Sequence, residues 1–123
     1  MKIFVAHASA FDFEGKLYSP IRASELSRAH EFVLPEEEKY KGTWNTKEVI
    51  QSCGLLIADA SVPSTGAGIE MGWANASGTP IIVTHEKGST PSTVVKYLTD
   101  TVIEYENPAD LIEKLTAALA QIQ

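Results

Sequence analysis

Glu70 is the residue of this chain best placed to do chemistry. It lies in LLIADASVPSTGAGIEMGWA (55–74), which reads as an apolar strand, a Ser/Pro/Gly loop and a helix carrying the carboxylate in its first turn. Asp59 closes the strand, and in open α/β sheets ligands bind at that end. Gly66 and Gly68 let the backbone turn sharply and approach a ligand, while the unpaired N–H groups that open a helix favour an anion. One more polar side chain joins them, His7 after the first apolar run; Ser64 in the loop and Ser92 in GSTPSTVV are ordinary loop residues by composition. An imidazole at the end of a central strand can donate to a phosphate or move a proton near neutral pH. Each group also has a plain structural use. Glu70 can serve the helix dipole, Asp59 an Asx-turn, Ser92 a helix N-cap, and the glycines a strand-to-helix turn.

Five apolar runs must position these groups: 3–6 (IFVA), 31–35 (EFVLP), 55–58 (LLIA), 80–84 (PIIVT) and 101–105 (TVIEY). Segments of helical length separate them at 19–29, 46–53, 68–77 and 92–98, a pattern that predicts βαβ units. Right-handed crossovers then give a three-layer, doubly wound, flavodoxin-like α/β fold with a five-stranded parallel sheet. The last helix is scaffold: Asn107 predicts its N-cap, Pro108 its first turn, and Leu111, Ile112, Leu115, Leu119 and Ile122 one apolar stripe. Segment 8–19 reads as a loop able to cover the site, and 35–46 as a charged stretch with an N-cap at Asn45 or Thr46. Its EEEKYK run reads most simply as a solvated face. Trp73 belongs to a core stripe with Ile69 and Ala76, His30 and His85 read as surface residues, and Trp44, Phe11 and Phe13 suit either stacking on a base or packing.

With 123 residues the chain fits a single domain, 1–123. A formal charge of −6 argues against non-specific binding to a nucleic-acid polymer, yet leaves room for a small phosphorylated ligand. Cys53 is the single cysteine, so neither a disulfide framework nor a metal knuckle is expected, and a reducing, cytoplasmic setting is the natural reading. No Walker lysine motif, CxxC or spaced His/carboxylate set occurs; no cofactor or metal is predicted. The apolar run in MKIFVAHAS is too short for a signal peptide or a membrane span.

From Cys53 to Pro91, about a third of the chain, the sequence resembles the nucleoside 2-deoxyribosyltransferase family, especially its deoxynucleoside 5′-monophosphate N-glycosidase branch. The resemblance rests on Ala58-Asp59 at the strand end, Pro63-Ser64-Thr65-Gly66-Ala67-Gly68, and Glu70-Met71-Gly72. It implies that Glu70 is the nucleophile, attacking the anomeric carbon to form a glycosyl-enzyme ester that water or a second base resolves. Elementary chemistry agrees, since a close carboxylate stabilises an oxocarbenium-like centre and can trap it. Retention normally uses a second acid about 5 Å away; Asp59 is the nearest in sequence.

The resemblance also speaks to the substrate. Six positions before the nucleophile the transferases commonly carry an acid that receives the sugar 5′-hydroxyl, and the monophosphate branch a serine; here it is Ser64. A hydroxyl meets phosphate without like-charge repulsion. Ser92 matches a serine that in that branch reaches the phosphate of the neighbouring subunit, which implies a homodimer. At the start of the helix before strand three, where the family usually has an acid, stands Thr46. In the strand-one motif Phe4 keeps the aromatic but lacks a hydroxyl, His7 replaces a glycine, and 8–20 contains no arginine. The expected function is N-glycosidic cleavage of a nucleoside 5′-monophosphate, or deoxyribosyl transfer. Two alternatives stand beside it: a nucleotide-binding or sensing module with weak catalysis, suggested by Thr46, and a TIR-like NAD glycohydrolase, suggested by KIFVAHAS.

Overall fold

The computed structural model describes residues 1–122. Its strands are β1 (Lys2–Ala6), β2 (Glu31–Val33), β3 (Leu55–Asp59), β4 (Ile81–Glu86) and β5 (Val102–Tyr105). All pair in parallel, in the order β2-β1-β3-β4-β5. This is the doubly wound, flavodoxin-like arrangement that the alternating pattern predicts. Ile3 lies opposite Leu55, and Ala58 opposite both Ala6 and Val83, so β1, β3 and β4 end together along one edge.

The helices are α1 (Ser19–Ala23), α2 (Leu26–Ala29), α3 (Pro35–Glu38), α4 (Thr46–Gln51), α5 (Thr65–Ala76) and α6 (Pro108–Ile122), with a π-helical turn at Glu14–Tyr18 and a 3₁₀ turn at Thr93–Tyr97. Successive strand residues point to opposite faces, which makes two cores. Ile3, Val5, Leu55, Ile57 and Ile82 pack with Leu17, Ile21, Leu111 and Leu115. Phe4, Ala6, Leu56, Ala58 and Val83 pack on the other face with Ile50, Met71 and Ala74. Side-chain caps start the longer helices. The Oδ1 of Asn45 accepts from the Glu48 N–H at 3.1 Å, Ser64 Oγ from the Ala67 N–H at 3.1 Å, and Asn107 Oδ1 from the Asp110 N–H at 2.8 Å. Each such cap contributes about 1 kcal/mol.

Four sequence readings need correction. The helix expected over 19–29 is broken at Ser24, which is extended at φ −97°, ψ 166°. The 92–98 segment forms a 3₁₀ turn rather than an α-helix. Segment 8–19 is not a free loop: Leu17 and Tyr18 are fully buried in its π-helical turn, and Lys16 reaches an ion pair with Glu86, the last residue of β4. His30 and His85 are buried rather than surface residues, as their strand-end positions draw them against the sheet.

Candidate active site

Ser64 caps α5, so the helix begins at Thr65, earlier than the 68–77 segment suggests. Glu70 is therefore in the second turn, beyond the N–H groups whose dipole a first-turn acid would serve. Gly66 and Gly68 are helical, and neither has a positive φ, so they do not form a sharp turn. An added Cβ at Gly68 would meet no atom within 4 Å; the residue keeps the helix surface open. Ala67, Met71 and Ala74 form the buried side of α5, and Glu70 falls in the same i, i+3, i+4, i+7 stripe. The fold thus turns a carboxylate toward the sheet. It is half-buried, and among the described residues no hydrogen bond reaches it. Burial pushes its carboxyl up to about 7, with the Lys39 charge working against the rise and the Glu36 charge adding to it.

Across the carboxyl end of β1 runs a connected set of polar groups. Ala8 C=O can only accept, so the Nδ1 of His7 carries a proton and donates to it at 3.0 Å. Nε2 then accepts from the Tyr18 hydroxyl at 2.8 Å, and that hydroxyl oxygen accepts the Glu36 N–H at 3.1 Å. The chain fixes a neutral imidazole, and burial lowers the His7 pKa. Phe13 stacks on its ring at 4.5 Å between centroids. Lys39 Nζ donates to Glu36 Oε1 at 2.8 Å.

A cavity of about 520 Å³ opens along the other flank of α5. Ser64, Thr65, Gly68, Asp59, Thr90 and Ser92 contribute to its lining together with apolar side chains. The Thr65 and Gly66 N–H groups find no partner among the described residues, and Ser64 uses only its oxygen in capping, so its hydroxyl proton remains available. That is a suitable end for an anion. Asp59 is 2% exposed and fully engaged: Oδ2 accepts from Tyr105 at 2.7 Å and Thr84 at 2.8 Å, and Oδ1 from the Ser61 N–H at 3.0 Å.

Solved structures share this fold. A CMP N-glycosidase from Clostridium botulinum superposes with a TM-score of 0.69 at 24% identity, covering 94% of this chain and 99% of the other. The chain shares its fold. A conserved protein from Enterococcus faecalis V583 gives 0.64 at 16% identity, covering 96% and 98% of the two chains. A 2-deoxyribosyltransferase from Bacillus psychrosaccharolyticus gives 0.60 at 21% identity, covering 90% of each. No protein-family model matches the sequence, and no curated protein matches it.

On this shared fold the residues singled out in the sequence divide into three groups. Ser64, Gly68, Ser92 and Asp59 line the cavity beside α5, whereas Glu70 on α5 and His7 just after β1 lie outside its lining. Ser92 caps the 3₁₀ turn, accepting from the Val94 N–H at 3.4 Å, and lines the same cavity as Ser64 of its own chain. Phe4 is 0% exposed inside the core, so it offers no surface to a ligand; mid-strand, its ring is enclosed by the α4 and α5 layer. Of the Ile69, Trp73, Ala76 stripe Trp73 does pack against the core, while Ile69 is 49% exposed and Ala76 exposed because Ala67, Met71 and Ala74 take the inward positions. Thr46 Oγ1 accepts the Trp44 indole N–H at 2.7 Å, which commits both side chains to the start of α4.

The sequence reading missed Tyr18, Glu36 and Lys39. The EEEKYK run is no simple solvated face: Glu36 pairs with Lys39, Glu37 with Arg22, and Glu38 accepts the Leu34 N–H at 2.9 Å. Pro35 just before three acids signals a helix start. Nothing in the composition of the run tells Glu36 from its neighbours.

Proposed function

We propose that this protein is an N-glycosidase of the nucleoside 2-deoxyribosyltransferase family, cleaving the base–sugar bond of a nucleoside 5′-monophosphate with Glu70 as nucleophile. The observation that carries the proposal is Glu70 itself. It is a half-buried carboxylate turned inward from α5, free of hydrogen bonds among the described residues, at the strand ends where α/β folds bind ligands. A structural acid at such a position would have found donors. The shared fold with a CMP N-glycosidase and a 2-deoxyribosyltransferase supports the same reading.

Glu70 attacks the anomeric carbon as the C–N bond breaks, the bond pair leaves with the base, and water then displaces the sugar from the ester. Ser64 and the open N–H groups of Thr65 and Gly66 receive the phosphate, with Ser92 lining the same cavity. His7 is held as a neutral ring just after β1 by Ala8 and Tyr18, and Asp59 acts as an anchor rather than an acid, since three donors occupy its oxygens. Hydrolysis is favoured over transfer through Ser64. The resemblance makes the protein a homodimer. Exposed Ile69 on α5 and Val94 and Tyr97 on the 3₁₀ turn, 49%, 58% and 76% accessible, offer apolar surface on the elements framing the cavity.

The test is release of free base from ribo- and deoxyribonucleosides, their 5′-monophosphates and NAD. Cleavage of a monophosphate, absent in Glu70→Ala and Glu70→Gln, is expected. Saturable binding without turnover would point instead to a sensing module, and cleavage confined to NAD to the TIR-like alternative.

A further inference from the structure

The cavity beside α5 is far larger than the phosphate assigned to it. A phosphoryl group needs no more room than a few waters, each with a share of about 30 Å³, whereas the cavity holds about 520 Å³. Its lining is graded. Ser64, Thr65, Thr90 and Ser92 bring hydroxyls, and the last three of these residues are exposed at its rim. Ala67, Met71 and Val95 are buried in the core on this face of the sheet, with Leu98 packed against that core, and together they form an apolar floor. Among the described residues Asp59 is the one ionisable side chain of the lining, and Tyr105, Thr84 and Ser61 occupy its oxygens. The floor therefore suits an uncharged ring rather than a second anion.

The rest of the lining keeps that floor within reach. Gly68 is helical and has no positive φ, so its backbone does not require a glycine. A Cβ there would meet no atom within 4 Å, and the missing side chain widens the mouth. Ser64 and Ser92 each accept a backbone N–H in capping and keep the hydroxyl proton for a ligand. The substrate's own base does not fill the floor. Glu70 does not line the cavity, so the anomeric carbon it attacks and the base bonded to that carbon lie outside, and the phosphate is the group that enters. Only a group on the far side of the phosphate reaches Met71, Val95 and Leu98.

We propose that the preferred substrate is a nucleoside 5′-phosphodiester, whose phosphate carries a second, uncharged ring group that packs on this floor. The inference rests on the proposed function, with the sugar at Glu70 and the phosphate at the start of α5. An aryl ester and the second nucleoside of a dinucleoside monophosphate share this chemistry. With the nucleoside, the hydroxyl rim also has a sugar to bond. The reaction is unchanged: the base–sugar bond breaks, water supplies the hydroxyl of the sugar and the proton of the base, and the ester bond to phosphate stays intact. Met71 adapts to rings of different outline, because its unbranched thioether side chain has three rotatable bonds. A free monophosphate leaves the floor empty and forgoes its contribution to binding.

The test compares base release, as kcat/KM, from the best monophosphate of the panel, the methyl and phenyl esters of its phosphate, and the matching dinucleoside monophosphate. The two simple esters carry the same charge, so their ratio reads the ring alone. The phenyl ester is expected to exceed the methyl ester by about tenfold or more, the effect of burying a ring-sized apolar group. An equal gain with the dinucleoside identifies a nucleoside as the ring group, and a gain confined to the phenyl ester identifies a smaller aryl group. Leu98→Trp fills the floor and should bring the phenyl-to-methyl ratio close to one, with thermal melts as a folding control. Gly68→Leu fills the mouth from an exposed helical position with open space around it, and decides the matter if Leu98→Trp does not fold. A phenyl ester no better than the methyl ester, or an advantage that survives in every folded filling variant, would overturn the inference and leave the proposed function standing. Cleavage of none of these compounds would overturn both.

Discussion

Glu70 is costly to the fold in the state that reaction requires. Its carboxyl titrates at about 7 in the folded chain against an ordinary 4.5, with burial as the main cause. Below 4.5 the group is protonated folded and unfolded, and no penalty arises. Between 4.5 and 7 the unfolded chain ionises while the folded one resists, so stability falls with rising pH and levels off above 7. Glu70→Gln should therefore gain stability over wild type as pH rises through this window, by about 2–3 kcal/mol at its upper end; urea denaturation at pH 4 and pH 8 measures it. An equal effect of the substitution at both pH values would contradict the burial argument. The proposed catalysis has the opposite demand, since only an ionised Glu70 is a nucleophile. Lys39 eases it, and Lys39→Met is expected to move the acid limb of the rate profile to higher pH. Sequence alone could nominate Glu70, because the PSTGAGIEMG pattern is local. It could not reveal Lys39, Glu36 or Tyr18, whose relevance exists only after α3 and the π-helical turn fold back over β1.

At the scale of elements, two polar residues of the motif turn out to join pieces of structure. Ser64 caps α5, so Ser64→Ala should cost about 1 kcal/mol in stability and weaken 5′-monophosphates more than the parent nucleosides, read as separate KM changes. Asp59 ties β3 to β4 through Thr84 and to β5 through Tyr105. Asp59→Ala leaves two buried hydroxyls without their acceptor, and a loss of about 2–4 kcal/mol in chemical denaturation is expected. An unchanged midpoint would refute its role as an anchor. Strand positions were legible because continuous apolar runs such as 55–57 mark buried parallel strands. Helix ends were less so: α5 starts at Thr65 because Ser64 can cap it, and the two glycines that suggested a turn were absorbed into the helix. The π-helical turn was hidden for a related reason. Its buried residues, Leu17 and Tyr18, are adjacent and show no helical period.

For the whole molecule, the order β2-β1-β3-β4-β5 gathers the ends of β1, β3 and β4 at one edge, and segments distant in sequence meet there. There α3 and α5 both pack on β1, and α5 with the 3₁₀ turn encloses the cavity of Ser64 and Ser92. Under the proposed function the substrate's sugar meets Glu70 and its phosphate the start of α5. The most direct test of this account is mass spectrometry of the protein quenched in acid during turnover of its best monophosphate. The account predicts an adduct of one sugar phosphate on the peptide containing Glu70, absent in Glu70→Gln. Rapid turnover in Glu70→Ala, or an adduct carried on another residue, would contradict it.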